Sequence, residues 1–145
     1  MVSKRVPWLV LLLAVQGAWA TGGCTAGSEF EPPLCPLELP PIQKVKVVRN
    51  AVKSEAETNP AVRCGAFRLT PALVRRYLSQ AKTTTANAAH HTLDWSPCYA
   101  TGRLTFADGR SAEWSIDNLR SGSLTIEGAE PVTLYCPACG FKPFQ

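Results

Sequence analysis

The chain has 145 residues, with 15 Lys plus Arg against 11 Asp plus Glu and a formal net charge of +4. That length builds one domain and not two. With Lys4 and Arg5 assigned to a removable N-terminal segment, 13 basic residues face the 11 acidic ones, a net +2 too balanced to hold nucleic acid or an anionic membrane by charge.

Lys4 and Arg5 form a charged n-region, Val6 to Val15 an apolar h-region, and Ala18-Trp19-Ala20 a small-x-small cleavage triplet. Residues 1–20 therefore read as a signal peptide cut after Ala20. The uncharged stretch falls short of the roughly 20 residues that cross a bilayer, so no transmembrane span is expected after cleavage. The expected location is outside the cytoplasm, periplasmic or secreted. Thr21-Gly22-Gly23-Cys24 offers an alternative, a degenerate lipoprotein signal that would acylate Cys24 and anchor the protein in the envelope, although Thr21 stands where such signals usually carry Leu.

Residues 21–60 read as a leader and linker. Pro32, Pro33, Pro36, Pro40 and Pro41 deny the first half regular hydrogen-bonded structure, and Cys24 and Cys35 are placed to close it on itself. Ile42 to Val52, with Val45, Val47 and Val48 among Lys and Arg, suits a strand or the start of a helix. The domain proper is expected over 61–145.

Thr70-Pro71 marks a helix start: the Thr hydroxyl accepts from free amides, Pro at the first helical position loses no hydrogen bond, and Leu69 staples onto Val74. Leu73, Val74, Tyr77, Leu78 and Ala81 recur at helical spacing, which predicts one amphipathic helix from Pro71 to about Lys82. The Thr- and Ala-rich segment 83–91 is expected to end it.

From Cys98 onward the apolar residues fall on even numbers: Leu104, Phe106, Trp114, Ile116, Leu124 and Leu134, while odd positions are polar. Period two means strands with one buried face. A three-residue loop, Ala107 to Gly109, keeps the faces in phase by setting Leu104 against Ala112 and Gly102 against Trp114. A turn at Gly128 would set Ile126 against Val132 and Leu124 against Leu134. The expected fold is α+β: an antiparallel β-meander of about four strands with one amphipathic helix packed on one face, stapled by disulfides.

Trp95-Ser96-Pro97-Cys98-Tyr99, Phe106-Ala107-Asp108-Gly109-Arg110 and Tyr135-Cys136-Pro137-Ala138-Cys139 together resemble an uncharacterised family of small exported bacterial proteins. The resemblance spans about Phe67 to Phe144 and implies the domain without implying an activity.

Cys24, Cys35, Cys64, Cys98, Cys136 and Cys139 are an even set in an oxidising compartment, so disulfides are the first account of them, with 15 pairings open. Cys98 and Cys136 share the inward parity, but in a flat four-strand meander they lie too far apart to bond, which leaves Cys64 as partner for Cys98 or for a C-terminal sulfur. Cys136-Pro137-Ala138-Cys139 lacks the following helix that thiol oxidoreductases use to stabilise a thiolate. It also resembles one knuckle of a zinc ribbon, which Cys64 and Cys98, or His90 and His91, would have to complete.

His90, His91, Asp94 and Ser96 carry acid-base and nucleophilic groups, but no motif orders them. No catalytic residue and no cofactor is assigned, with zinc the runner-up. Trp95 and the outward-facing Tyr99 and Tyr135 suit a protein contact. The functional expectation is a non-catalytic envelope protein of the inhibitor or immunity kind that binds another envelope protein. The alternative is a metal- or thiol-handling protein working through Cys136 and Cys139.

Overall fold

The polar-out, apolar-in alternation of the last third closes into a larger sheet than it predicts. The computed structural model describes residues 22–145, so the signal peptide and its Ala20 cleavage site lie outside the described residues. In chain order the elements are β1 (Cys35–Pro36), β2 (Ile42–Lys53), α1 (Pro71–Gln80), β3 (Lys82–Thr84), α2 (Ala86–Thr92), β4 (Cys98–Phe106), β5 (Ser111–Asp117), β6 (Ser121–Ile126) and β7 (Val132–Tyr135). Every pairing is antiparallel, in the order β1-β3-β7-β6-β5-β4-β2.

The expected four-strand meander is present as β4 to β7, and three further strands extend it. Two of them come from the segment read as leader and linker. β1 pairs with β3, and β2 pairs with β4 along twelve residues, interrupted by register shifts. Those irregularities leave Ile42 to Val52 open between strand and helix in the sequence, because they break the period-two pattern that marks a strand; the strand is what forms. Ala51 sits at φ 53°, and the neighbouring Asn50 side chain holds Leu69 by both its carbonyl and its amide, at 2.9 and 2.8 Å.

α1 starts as predicted: the Thr70 hydroxyl accepts from the Leu73 amide at 3.2 Å, with Pro71 at the first helical position. It stops at Gln80 because Lys82–Thr84 leaves the helix to pair with β7. The segment expected only to end the helix thus contributes β3 and then α2, whose N-cap is Thr85. β-branched Thr83 and Thr84 favour the extended state, and a hydroxyl at Thr85 restarts the helix.

The first hairpin has the predicted register, Leu104 opposite Ala112 and Gly102 opposite Trp114, with Gly109 at φ 89°. Asp108 locks this turn by accepting from the Arg110 amide at 3.0 Å and pairing with its guanidinium at 2.8 Å. The β6–β7 hairpin is shifted by two residues from expectation: Leu124 faces Val132, and Gly122 faces Leu134. A slip of two preserves parity, so Leu124 and Leu134 stay buried all the same. Pro131, which has no amide to donate, lies in the longer loop.

The core lies between α1 and the even face of the sheet, where Val74, Tyr77 and Leu78 meet Phe106, Trp114 and Ile116. The C-terminal tail completes it. Phe144 stacks on Tyr77 at 5.6 Å and meets Phe67 edge-on, while Arg76 lies 3.8 Å above the Phe141 ring. Among the described residues no helix is long and apolar enough to cross a membrane.

Trp114 is 2% exposed and occupies the space that a side chain on Gly102 would need. Trp114→Ala is expected to cost about 3–5 kcal/mol in denaturant unfolding. Gly102→Ala should also destabilise, by about 1–3 kcal/mol, because its methyl would run into the Trp114 ring and the Lys46 carbonyl. Glu113→Ala, on the wet face, should change stability by less than about 0.5 kcal/mol. Similar losses from Trp114→Ala and Glu113→Ala would contradict the assignment of faces.

Candidate functional site: the open face of the sheet

Because α1 covers the even face, the odd-numbered side chains of β4, β5 and β6 are left to form the opposite surface. The strand registers arrange them in transverse rows. Thr101 faces Ser115, Ser115 faces Ser123, Ser123 faces Thr133, and Thr133 faces Thr84, so five hydroxyl side chains run across five strands. They are spaced by the inter-strand distance of about 4.8 Å. A parallel row runs from Tyr99 opposite Asp117 through Ser121 opposite Tyr135 to Lys82, which faces Tyr135 from β3. On the other side Arg103 and Glu113 face each other and pair at 3.3 Å.

Three depressions follow these rows and merge. One, of about 390 Å³, is lined by Trp95, Tyr99, Asp117 and Ser121. It shares Ser115 and Ser123 with a second of about 390 Å³ that continues past Thr101 to Val48. The second shares Arg103, Glu113 and Thr125 with a third of about 540 Å³. The result is one trough across β4, β5 and β6. Trp95 stands at one end of it, 62% exposed. Trp114 borders its middle section, but its indole lies on the opposite, α1-covered face, where Nε1 has no hydrogen-bond partner; the Thr84 hydroxyl at the far end of the hydroxyl row is also buried without one.

Asp117 anchors the Trp95 end. Its Oδ1 accepts from the Leu119 and Ser121 amides at 2.9 and 3.0 Å and so shapes the β5–β6 turn. Burial pushes its carboxyl up to about 6, outweighing those two hydrogen bonds, which favour the ionised form.

The cysteines pair Cys24–Cys35, Cys64–Cys98 and Cys136–Cys139. The first closes the leader on itself, and the second ties the loop before α1 to the first residue of β4. With every sulfur bonded, the zinc set Cys64, Cys98, Cys136 and Cys139 has no thiolate to offer, and no metal-binding cluster occurs among the described residues. Cys24, the residue of the alternative lipoprotein reading, is bonded to Cys35. Cys136 and Cys139 are fully buried, which removes them from the surface as well.

His90 and His91 stand exposed in the last turn of α2, and Asp94 is exposed beyond it. Ser96 is buried instead, its hydroxyl bonded to Asn118 and to the backbone of Cys98. Ser96 is therefore engaged in the interior, and no hydrogen bond joins it to His90, His91 or Asp94 among the described residues. Tyr99 and Tyr135 do point outward but are half-buried in their row, whereas Trp95 is the exposed aromatic. The hydroxyl row was not singled out from the sequence. Its signal was the run of Ser and Thr at odd positions, but only the register shows that they align.

No protein-family model, no curated protein and no solved structure matches this chain. The trough is accordingly described by its own chemistry.

The raised affinity of Asp117 for a proton makes stability pH-dependent with a definite sign. Between the ordinary carboxylate range and about pH 6 the folded state binds more protons than the unfolded, so stability falls as pH rises through that window and levels off above it. Asp117→Asn keeps an oxygen for the Leu119 and Ser121 amides and should remove about 1–3 kcal/mol of this pH dependence, read by urea unfolding from about pH 4 to 7. An unchanged slope in the variant would place the effect elsewhere.

Proposed function

We propose that this protein is an exported, non-catalytic binding domain whose recognition surface is the open face of the sheet. The observation that carries the reading is the exposed Trp95 beside a continuous trough that no part of the described chain fills. A single exposed aromatic is ordinary on a protein surface. One set at the end of a concave surface, with Tyr99 and the half-buried Asp117 carboxyl beside it, has the composition of a binding site, which combines apolar area with a few placed polar groups.

Three disulfides support export, because such bonds persist where thiols are oxidised. They also support a binding role, since a stapled sheet holds its outward side chains in fixed positions and so lowers the ordering cost of association. An inhibitor or immunity factor engaging an envelope protein would use the same surface. The engagement of Ser96 with Asn118 and the Cys98 backbone, away from exposed His90, His91 and Asp94, favours recognition over catalysis. Mutual bonding of Cys136 and Cys139 in the interior gives the thiol-handling alternative no support.

The test is retention from an envelope extract by immobilised protein. Wild type should retain a component, protein or saccharide, that the Trp95→Ala, Tyr99→Ala double variant does not. Cys136→Ser with Cys139→Ser should keep that retention and lose only thermal stability. Equal retention by wild type and the aromatic variant, or loss on changing the two cysteines, would overturn the reading.

A further inference from the structure

β2 closes one side of the sheet, and no strand lies beyond it. The other side ends in β1, two residues long and including Pro36, which has no amide to donate. β2 is therefore the longer edge, and its open part has definite limits. At one end the Arg75 guanidinium donates to the Ile42 and Gln43 carbonyls, both at 2.9 Å. At the other the Ala51 amide donates to the Phe67 carbonyl at 3.1 Å. Between them Lys44, Val45, Lys46 and Val47 pair in unbroken register with Thr105, Leu104, Arg103 and Gly102.

The register also fixes which backbone groups are free. The Phe106 amide donates to the Arg110 carbonyl and the Asn118 amide to that of Cys98, so the even residues of β4 bond toward β5 and the odd ones toward β2. Lys44 and Lys46 answer Thr105 and Arg103, which leaves Val45 and Val47 with N–H and C=O turned outward. No backbone group among the described residues bonds them there.

Side chains alternate along the same edge. Val45 and Val47 turn toward the α1 side, where the first is buried and the second half-buried. Lys44, Lys46 and, past a bulge, Arg49 stand exposed on the open face. None of the three has a carboxylate partner, since the ion pairs among the described residues are Arg103–Glu113 and Arg110–Asp108. Lys46 instead stands directly opposite Arg103, a like-charge pair that costs stability. Arg103 is balanced by Glu113 from β5, its neighbour on the other side. For Lys46 the corresponding place lies beyond the edge.

Lysines on an edge discourage strands from pairing there. Their effect is selective: a second copy of β2 would bring lysine against lysine, whereas a strand carrying carboxylates would be attracted. Edge protection also leaves Arg103 unexplained, because it stands one strand in.

Going beyond the reading of the open face, we propose that the β2 edge docks an extended acidic segment of a partner protein, added antiparallel as a further strand beside Lys44–Val47. Its backbone bonds Val45 and Val47, its carboxylates stand beside Lys44 and Lys46, and its apolar residues lie beside the valines. The pattern recognised is alternation of acidic and apolar residues. A carboxylate beyond Lys46 completes a transverse row in which Lys46 and Arg103 have an acid on each side. A polyanion without a peptide backbone would meet the cations and leave Val45 and Val47 unpaired.

The experiment is NMR and calorimetric titration of the purified, disulfide-bonded protein with an end-blocked seven-residue peptide alternating Val and Glu. It should bind, shift the Val45 and Val47 amides and slow their exchange with solvent. The same peptide with Lys for Glu should not bind. The peptide's valines share hydrogen bonds with Val45 and Val47, so methyl groups on its valine amides should weaken binding by about tenfold or more, and methyl groups on its glutamate amides should not. Lys44→Glu with Lys46→Glu should reverse the preference, losing the glutamate peptide and gaining the lysine one. Both side chains are exposed, and the variant's own amide spectrum shows that it folds before titration. Trp95→Ala should bind the glutamate peptide as wild type does, so this site and the Trp95 reading stand or fall by separate variants.

No binding of the glutamate peptide, binding that survives methylated valine amides, or a preference that the double charge change does not reverse would each overturn the proposal. Polygalacturonate bound at Lys44 and Lys46 as tightly as the peptide would do the same and make the edge a polyanion site.

Discussion

The fold depends on how α1 is fastened to the sheet, and the fastening is Tyr77. Its ring is fully buried, and its hydroxyl donates to the Arg120 carbonyl at 3.0 Å. That carbonyl also accepts from the Cys136 amide at 3.0 Å, so helix, β5–β6 turn and the end of β7 meet at one oxygen. Arg120 presents it from a left-handed conformation, φ 75°, and its guanidinium reaches the Pro137 carbonyl at 3.0 Å. Burial raises the Tyr77 phenol well above its usual range, with Asp117 and Tyr135 adding to the shift, so it stays a donor. A buried hydroxyl without that carbonyl would cost about 1–3 kcal/mol, and the helix would lose its anchor.

The topology explains why so much rests there. β2 lies at one edge of the sheet, and β3 lies next to the short strand at the other, so the chain between them must cross the sheet. α1 makes that crossing on the even face and is the cover for Trp114, Ile116 and Leu124. The Cys64–Cys98 disulfide spans 34 residues around the same crossing. In the chain-entropy account such a loop is worth about 3–4 kcal/mol. With one face committed to α1, the odd face over β4 to β6 is left uncovered, and its rigidity comes from the same packing.

Much of this was legible residue by residue. The Thr70-Pro71 start and the alternation from Leu104 to Leu134 express local rules, capping and pleat, that hold whatever surrounds them. The 106–111 turn was legible because Gly109 and the in-phase requirement left one loop length. The β6–β7 register was not, since two registers two residues apart bury the same leucines, and the choice rests on a loop containing Pro131. β2 was left open between strand and helix because its bulges scramble its pattern, and β3 escaped because three residues carry too little period to register. The disulfide partners divided similarly: Cys24 and Cys35 were suggested by one proline-bound leader, whereas Cys136 and Cys139 paired with each other, leaving Cys64 to Cys98.

The sequence by itself determined which side chains face inward, where α1 begins, and that an even set of cysteines would staple the domain. Those properties depend on neighbours a few residues away, through helical and pleated periodicity. Only the tertiary structure decided that the sheet has seven strands, that every sulfur is taken, and that Thr101, Ser115, Ser123, Thr133 and Thr84 stand in line. Alignment across strands is a matter of register between segments distant in the chain, and hydrogen bonds between backbones, which carry no side-chain signature, set it.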